Sequence, residues 1–119
     1  MKINNISISS TTFPERLREI PTAPASLYLK GDLPNYRLGI AIVGTRKPTP
    51  YGKRITLELA EKLAERGAVI ISGLAHGVDG LAHQGALNVG GQTIAVLPAG
   101  LDTIYPSTHR NLAEQILDK

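Results

Sequence analysis

The fold of this chain is decided at residues 39–46, where the sequence is GIAIVGTR. The apolar run at residues 40–43 predicts a strand that is buried on both faces of a sheet. The pair Thr49–Pro50 predicts the start of a helix, with threonine as the N-cap and proline in the first helical position. A buried strand, a short turn containing glycine and a helix together predict the first half of a β–α–β unit.

The turn between this strand and this helix predicts a site for phosphate. The first N–H groups of a helix have no partner inside it, and the helix dipole places partial positive charge around them. Arg46 adds a planar, forked donor that matches phosphate, although an ordinary surface arginine is the alternative. Tyr51 could stack on a base or pack against a helix. The residues assigned to this part of the site are Gly44, Thr45, Arg46, Lys47, Tyr51, Gly52 and Lys53.

Positive charge is concentrated at the same turn. The whole chain has 13 Lys+Arg against 10 Asp+Glu, a net charge of only +3. Residues 33–57, however, contain no acidic residue and five basic ones. The first turn of a helix normally favours acidic residues, so basic residues there indicate an anionic ligand. The alternative interpretation is an ordinary solvated helix start. The five basic residues are Arg37, Arg46, Lys47, Lys53 and Arg54.

The alternation of apolar strands with helices continues to residue 117. The predicted strands lie at 39–43, 68–71 and 93–97, and the predicted helices lie near 50–66, 80–89 and 107–117. This βαβαβα order with short connections predicts a three-layer α/β/α fold around a mostly parallel sheet. Residues 26–30 alternate as an additional N-terminal strand. We therefore predict a binding domain at residues 26–119, preceded at residues 1–25 by an arm with a short helical turn.

The turn after the second strand supplies further candidates, because the carboxyl ends of parallel strands share one sheet edge, where ligands bind. Ser72 could donate to phosphate or cap the turn. His76 could contact a base or a phosphate, or be a solvated loop residue. Asp79 lies four residues before His83, and an N-cap that holds this histidine is favoured over an acid–base pair. The residues assigned here to the DNA and phosphate site are Ser72, Gly73, His76, Gly77 and Asp79.

Composition and motifs favour a binding module over an enzyme. A length of 119 residues fits one compact domain, and the lack of cysteine excludes a disulfide framework and thiolate metal sites. The dinucleotide glycine motif, the P-loop and the nucleophile elbow are all missing from the sequence. We expect no catalytic residue, no metal and no cofactor. Since no apolar run has membrane-spanning length and no signal peptide begins the chain, we expect a cytoplasmic location without membrane contact.

Several stretches of this chain resemble the DNA-processing protein A family (DprA/Smf). Their order and spacing carry the resemblance, because each motif taken alone is short. Together they extend over about residues 26–117. The stretches are LYLKG at 27–31, IVGTR at 42–46, PYG at 50–52, ISGLAHGVD at 71–79, AHQGAL at 82–87, TIAVL at 93–97, GLD at 100–102 and YP at 105–106.

The resemblance implies a Rossmann-like fold that binds single-stranded DNA and helps to load the recombinase RecA during natural transformation. Arg46 matches a DNA-contacting position of the family. Members of the family continue well beyond residue 119, and dimerisation and RecA contact are associated with that later half. The first half of such a sheet has an exposed strand edge. We therefore expect either that the strand at residues 26–30 covers an edge, or that two copies of the chain associate as a homodimer.

The alternative function is a small-nucleotide sensor or enzyme. The sequence at residues 98–103, PAGLDT, resembles in part the Pro-Gly-Gly-x-Gly-Thr-x-x-Glu signature of the LOG phosphoribohydrolases, which are related Rossmann-like proteins. It lacks both the paired glycines and the glutamate of that signature, which argues against this chemistry. A further alternative is a module that binds only a protein partner and has no ligand of its own.

Overall fold

The computed structural model describes residues 3–98, 100–102 and 104–118, and it divides the chain into two compact units, Met1–Leu33 and Pro34–Lys119. The predicted division after residue 25 differs from this one, which falls after Leu33. Within the described ranges, no helix combines the length and the apolar content that crossing a membrane would require.

The first unit is a two-stranded antiparallel sheet with one short helix. Strand β1 (Ile3–Ser7) pairs with β2 (Ser26–Lys30), and helix α1 (Glu15–Arg18) lies between them in sequence. Arg18 holds the connection, because its guanidinium donates to the carbonyl oxygens of Ile8 at 3.0 Å and Ser10 at 2.8 Å. The strand at residues 26–30 therefore pairs with β1 and does not join the parallel sheet. The prediction that it covers an edge of that sheet is wrong.

The second unit contains a parallel sheet with the strand order β3–β4–β5, as the predicted mixed α/β fold requires. Ile40 lies opposite Ile70, and Ile70 lies opposite Thr93. Two helices connect the strands, and a 3₁₀ turn at Ser107–His109 leads into the last helix. The strands are β3 (Gly39–Ala41), β4 (Val69–Ser72) and β5 (Thr93–Ala95), and the helices are α2 (Pro50–Glu65), α3 (Val78–Asn88) and α4 (Arg110–Leu117).

Small residues bring α2 and α3 into close contact and form much of the core. A Cβ atom added to Gly85 of α3 would lie 2.7 Å from the Ala60 Cβ and 2.9 Å from the Leu57 carbonyl oxygen of α2. Ile70 of β4 is completely buried against this pair of helices. Burial of apolar surface therefore fixes α2 and α3 relative to the central strand, and this fixes the positions of the turns that precede both helices.

Candidate nucleic-acid interface

The turns after β3 and β4 lie against each other at the carboxyl edge of the sheet, meaning the edge where the strands end. The Val78 N–H donates to the Thr45 carbonyl oxygen at 3.1 Å. Gly77 packs on the next peptide, since a Cβ atom there would lie 2.7 Å from the carbonyl carbon of Arg46. Its φ of +79° is also one that glycine adopts without strain. Arg46 and His76 are therefore brought to one surface, as the topology predicts.

Four exposed cations form what we call the basic surface. They follow β3 or lie in the first turns of α2, where no acidic residue occurs. In the described parts of the chain, the ion pair between Arg18 and Glu15 is the only one, so the basic surface is not neutralised internally there. A phosphate site requires cations that are not already paired with acidic side chains of the protein. The residues of the basic surface are Arg46, Lys47, Lys53 and Arg54.

The backbone contributes less to this surface than the sequence predicts. The Thr49 Oγ1 atom accepts from the Gly52 N–H at 3.0 Å, as an N-cap does. Pro50 has no N–H, and the Lys47 N–H donates to the Thr45 Oγ1 at 3.1 Å. The predicted role of the Gly52 amide as a donor to phosphate therefore needs correction, because the chain satisfies that amide itself. Positive charge at this turn comes mainly from side chains.

Tyr51 lies beside the basic surface and does not pack into the core. The residue is 65% exposed. The Arg54 guanidinium carbon lies 5.4 Å from the centre of the Tyr51 ring, a cation–π arrangement. The sequence left two alternatives for Tyr51, stacking on a base and packing against a helix. The structure does not show the second.

Ser72 at the end of β4, Gly73 after it and Asp79 in the first turn of α3 hold the turn after β4 in place from inside. The Ser72 hydroxyl is buried and donates to the Ile42 carbonyl oxygen at 2.6 Å, which ties β4 to the end of β3. The buried Asp79 carboxylate accepts from the Gly73 N–H at 3.1 Å. Asp79 is also not the N-cap of α3, a position that Gly77 occupies. We withdraw these three residues from the candidate surface, since their polar groups have internal partners.

His83 is completely buried and is held by groups other than Asp79. Thr93 donates its hydroxyl proton to the Ile70 carbonyl oxygen at 2.6 Å, so its oxygen accepts from the His83 Nδ1–H at 2.7 Å. The other ring nitrogen, Nε2, accepts from the Leu74 N–H at 3.2 Å. Burial lowers the pKa of His83 to about 4, although the Asp79 carboxylate acts in the opposite direction. The predicted contact of Asp79 with His83 is thus replaced by a neutral, structural imidazole.

A cluster of aromatic rings occupies the same edge and includes a residue that sequence reasoning missed. The His76 ring centre lies 5.5 Å from that of His109 and 6.4 Å from that of Tyr105. We call these three side chains the aromatic cluster. His109 is anchored because its Nδ1–H donates to the Leu74 carbonyl oxygen at 2.8 Å. The only sequence signal for His109 is its position at the start of the last helix, after β5.

The histidines of this edge belong to no cluster of metal-ligating side chains within the described ranges. No group of three or more His, Cys, Asp or Glu side chains there is arranged to hold a metal ion. Zinc sites generally take three or four such ligands, and His109 already uses one ring nitrogen for Leu74.

A parallel sheet with helical crossovers, and with its exposed cations and rings at the carboxyl edge, defines a Rossmann-like α/β domain with a candidate anion site. The family model for DNA recombination-mediator protein A matches residues 4–119, and the chain belongs to this family. The predicted resemblance is therefore confirmed.

Relatives within the family are considerably longer than this chain. DNA processing protein DprA from Bacillus subtilis is 42% identical over 116 residues, which are 96% of this chain and 39% of that protein. The structure of DNA processing protein A from Helicobacter pylori, reported for its single-stranded DNA binding mode, matches with a TM-score of 0.84 at 37% identity over 98% of this chain and 52% of that one. DprA from Streptococcus pneumoniae matches with a TM-score of 0.86 at 38% identity over 97% and 41%, respectively.

Proposed function

We propose that this chain takes part in DNA processing by binding single-stranded DNA, with the basic surface contacting phosphates. The observation that carries the proposal is the exposed Arg46, which follows β3 at the carboxyl edge and has no acidic partner among the described residues. Membership of the DNA recombination-mediator protein A family supports a DNA ligand. The similar protein from Helicobacter pylori, described for its single-stranded DNA binding mode, supports the choice of single strands.

The physical basis of the proposal is charge and hydrogen bonding. A bidentate contact from Arg46 to a phosphate contributes roughly 1.5–3 kcal/mol as a charge-assisted hydrogen bond. Lys47, Lys53 and Arg54 raise the local positive potential and speed the approach of a polyanion. Each phosphate neutralised on a single strand releases counterions, so log affinity falls by roughly 0.7 per contact for each log unit of salt.

Tyr51 favours single strands over duplex DNA. Its exposed ring lies next to the cations, and an unpaired base that stacks on such a ring gains roughly 1–3 kcal/mol. Bases in a duplex are already stacked on their neighbours and cannot reach the ring without being separated from them.

The test compares two arginine variants by fluorescence anisotropy with labelled oligo-dT at two salt concentrations. Arg46→Ala should lower the affinity about 10- to 150-fold, the range that corresponds to roughly 1.5–3 kcal/mol, and should flatten the salt dependence. Arg66→Ala is the matched control, because it removes the same charge from the exposed residue at the other end of α2. If Arg46→Ala binds as the parent does, or if both variants lose affinity equally, the proposed site is wrong.

We also propose that the chain binds without catalysing a reaction. Residues 98–103, the segment compared with the LOG signature, include Ala99 and Thr103, which lie outside the described residues. Incubation with nucleoside monophosphates, followed by chromatography, should release no free base. Release of base at a rate that depends on protein concentration would favour the phosphoribohydrolase alternative.

Two further proposals concern protein partners of this chain. In the described sheet, β3 pairs only with β4, and an edge strand of this kind leaves backbone groups available for another chain. We propose that two copies associate there, which light scattering after gel filtration would test; a monomer at every micromolar concentration overturns it.

The family resemblance leads us to propose that the chain helps load RecA. Unchanged RecA filament formation on DNA in its presence would contradict this.

A further inference from the structure

We propose that the aromatic cluster, His76, Tyr105 and His109, is a stacking site for an unpaired nucleobase next to the phosphate contacts. This inference rests on the proposed function and adds to it, because it assigns a base-stacking site at the carboxyl edge that is separate from Tyr51. The sequence assigns no binding role to Tyr105 or to His109.

The exposure of Tyr105 is the first observation. Tyr105 is 71% exposed, which is the largest exposed fraction among the exposed large apolar residues of the described ranges. A ring in this position does little for the core, since most of its surface remains in water. His76 is exposed as well, and its ring meets Tyr105 edge to face with an interplanar angle of 78°. Exposed rings that contact one another present π faces on which a base can stack.

The anchoring of the cluster is the second observation. The His109 ring is held by the Leu74 carbonyl oxygen and lies on Gly80, where a Cβ atom would come within 2.7 Å of the His109 Cε1. Leu74 is itself constrained, because its N–H donates to the buried His83 and its φ is +63°. The His109 ring is therefore already fixed, and a fixed ring loses little conformational freedom when a base binds.

The position of the cluster next to Arg46 is the third observation. Gly77 lies against the Arg46 peptide, and His76 is the residue before Gly77. A phosphate held by Arg46 would therefore have a base of the same strand within reach of the rings. The alternative, a metal held by His76 and His109, has too few ligands among the described residues.

The experiment separates base contacts from phosphate contacts by using two labelled oligonucleotides of equal length, oligo-dT and a strand of abasic sites. The parent chain should bind oligo-dT more tightly than the abasic strand. Tyr105→Ala should weaken binding of oligo-dT about 5- to 150-fold, the range that corresponds to the loss of one base stack. It should leave binding of the abasic strand unchanged. Tyr105→Phe, which keeps the ring, should restore the parent's affinity for oligo-dT.

Tyr28→Ala is the matched control, because Tyr28 is similarly exposed and belongs to β2 of the other unit. His76→Ala provides a second variant of the cluster, with the same expected selectivity. Equal binding of both strands by the parent, or equal weakening of both by Tyr105→Ala, overturns the stacking site while the phosphate proposal stands. Failure of the parent to bind either strand overturns the proposed function and this inference together.

Discussion

The turn after β3 and the turn after β4 begin from similar sequences but have different roles. Each follows an apolar strand and contains glycine and polar side chains. After β3 the side chains of Thr45, Arg46 and Lys47 are exposed, whereas after β4 the Ser72 and Asp79 side chains are buried and bonded within the protein. The difference follows from strand order. Strand β4 lies between β3 and β5, so polar groups at its end are surrounded by protein and need internal partners.

The largest expected effect comes from separating the two turns. Gly77→Ala would push a Cβ atom into the Thr45 and Arg46 backbone at a positive φ. Backbone strain and overpacking of roughly 1–3 kcal/mol each should lower the free energy of unfolding by about 3 kcal/mol or more. Urea unfolding followed by circular dichroism would measure it.

Gly67→Ala distinguishes the two causes of that loss. Gly67 has a φ of +93°, but a Cβ atom there would meet nothing within 4 Å. This variant should lose only about 1–2 kcal/mol, the cost of the left-handed backbone alone. If the two variants were equally unstable, contact between the turns would contribute nothing measurable, and the account of how Arg46 and His76 are brought together would be wrong.

Acid should lower the stability of the folded chain through His83, which holds the turn after β4. Its pKa in the folded chain, about 4, lies below the ordinary value of 6.5, so the unfolded chain takes up a proton first as the pH falls. The contribution of the neutral imidazole is therefore fully present above pH 6.5 and is lost towards pH 4. Over this interval the free energy of unfolding should fall by up to about 3 kcal/mol.

Urea unfolding at a series of pH values would measure this slope, and an NMR titration of the His83 ring would measure the pKa directly. His83→Gln should be less stable than the parent at pH 7 but should lose this part of the pH dependence. A His83 resonance that titrates with a midpoint near 6.5 would show that the imidazole is not held in the neutral, buried state.

The smallest expected effect is also the one that distinguishes the two turns most directly. Ser72→Ala removes the hydrogen bond to Ile42 and should cost about 1 kcal/mol of stability, with the affinity for oligo-dT unchanged. Arg46→Ala should do the reverse and leave stability within about 0.5 kcal/mol of the parent's, as exposed substitutions generally do. Loss of DNA affinity in Ser72→Ala, with the fold intact, would return Ser72 to the binding surface.

Individual residues show how far sequence reasoning reached. Proline at Pro50 and the hydroxyl of Thr49 predict the start of α2 correctly, because capping is local chemistry. Helical spacing predicts one inward stripe on α2 made of Ile55, Leu59, Ala60 and Leu63. Ala60 is completely buried and Leu63 packs against the core, but Ile55 and Leu59 are 37% and 47% exposed. The buried positions are Thr56, Ala60 and Ala64.

That error has a physical cause in the packing of α2 against α3. The close approach of these helices selects the narrow face of α2, where the small side chains lie, and the larger residues are left outside it. Periodicity finds the apolar side of a helix, but the neighbouring element decides which part of that side is buried.

The sequence by itself determined the order of strands and helices, the cap of α2, and the concentration of basic residues after the first parallel strand, because these depend on local propensity and on composition. Only the tertiary structure decided which polar groups remain available to a ligand. Burial of the central strand gave Ser72, Asp79 and His83 internal partners, and contacts over many residues brought His109 to His76. Whether a side chain faces protein or water depends on what packs around it, and for these residues the neighbours come from elsewhere in the chain.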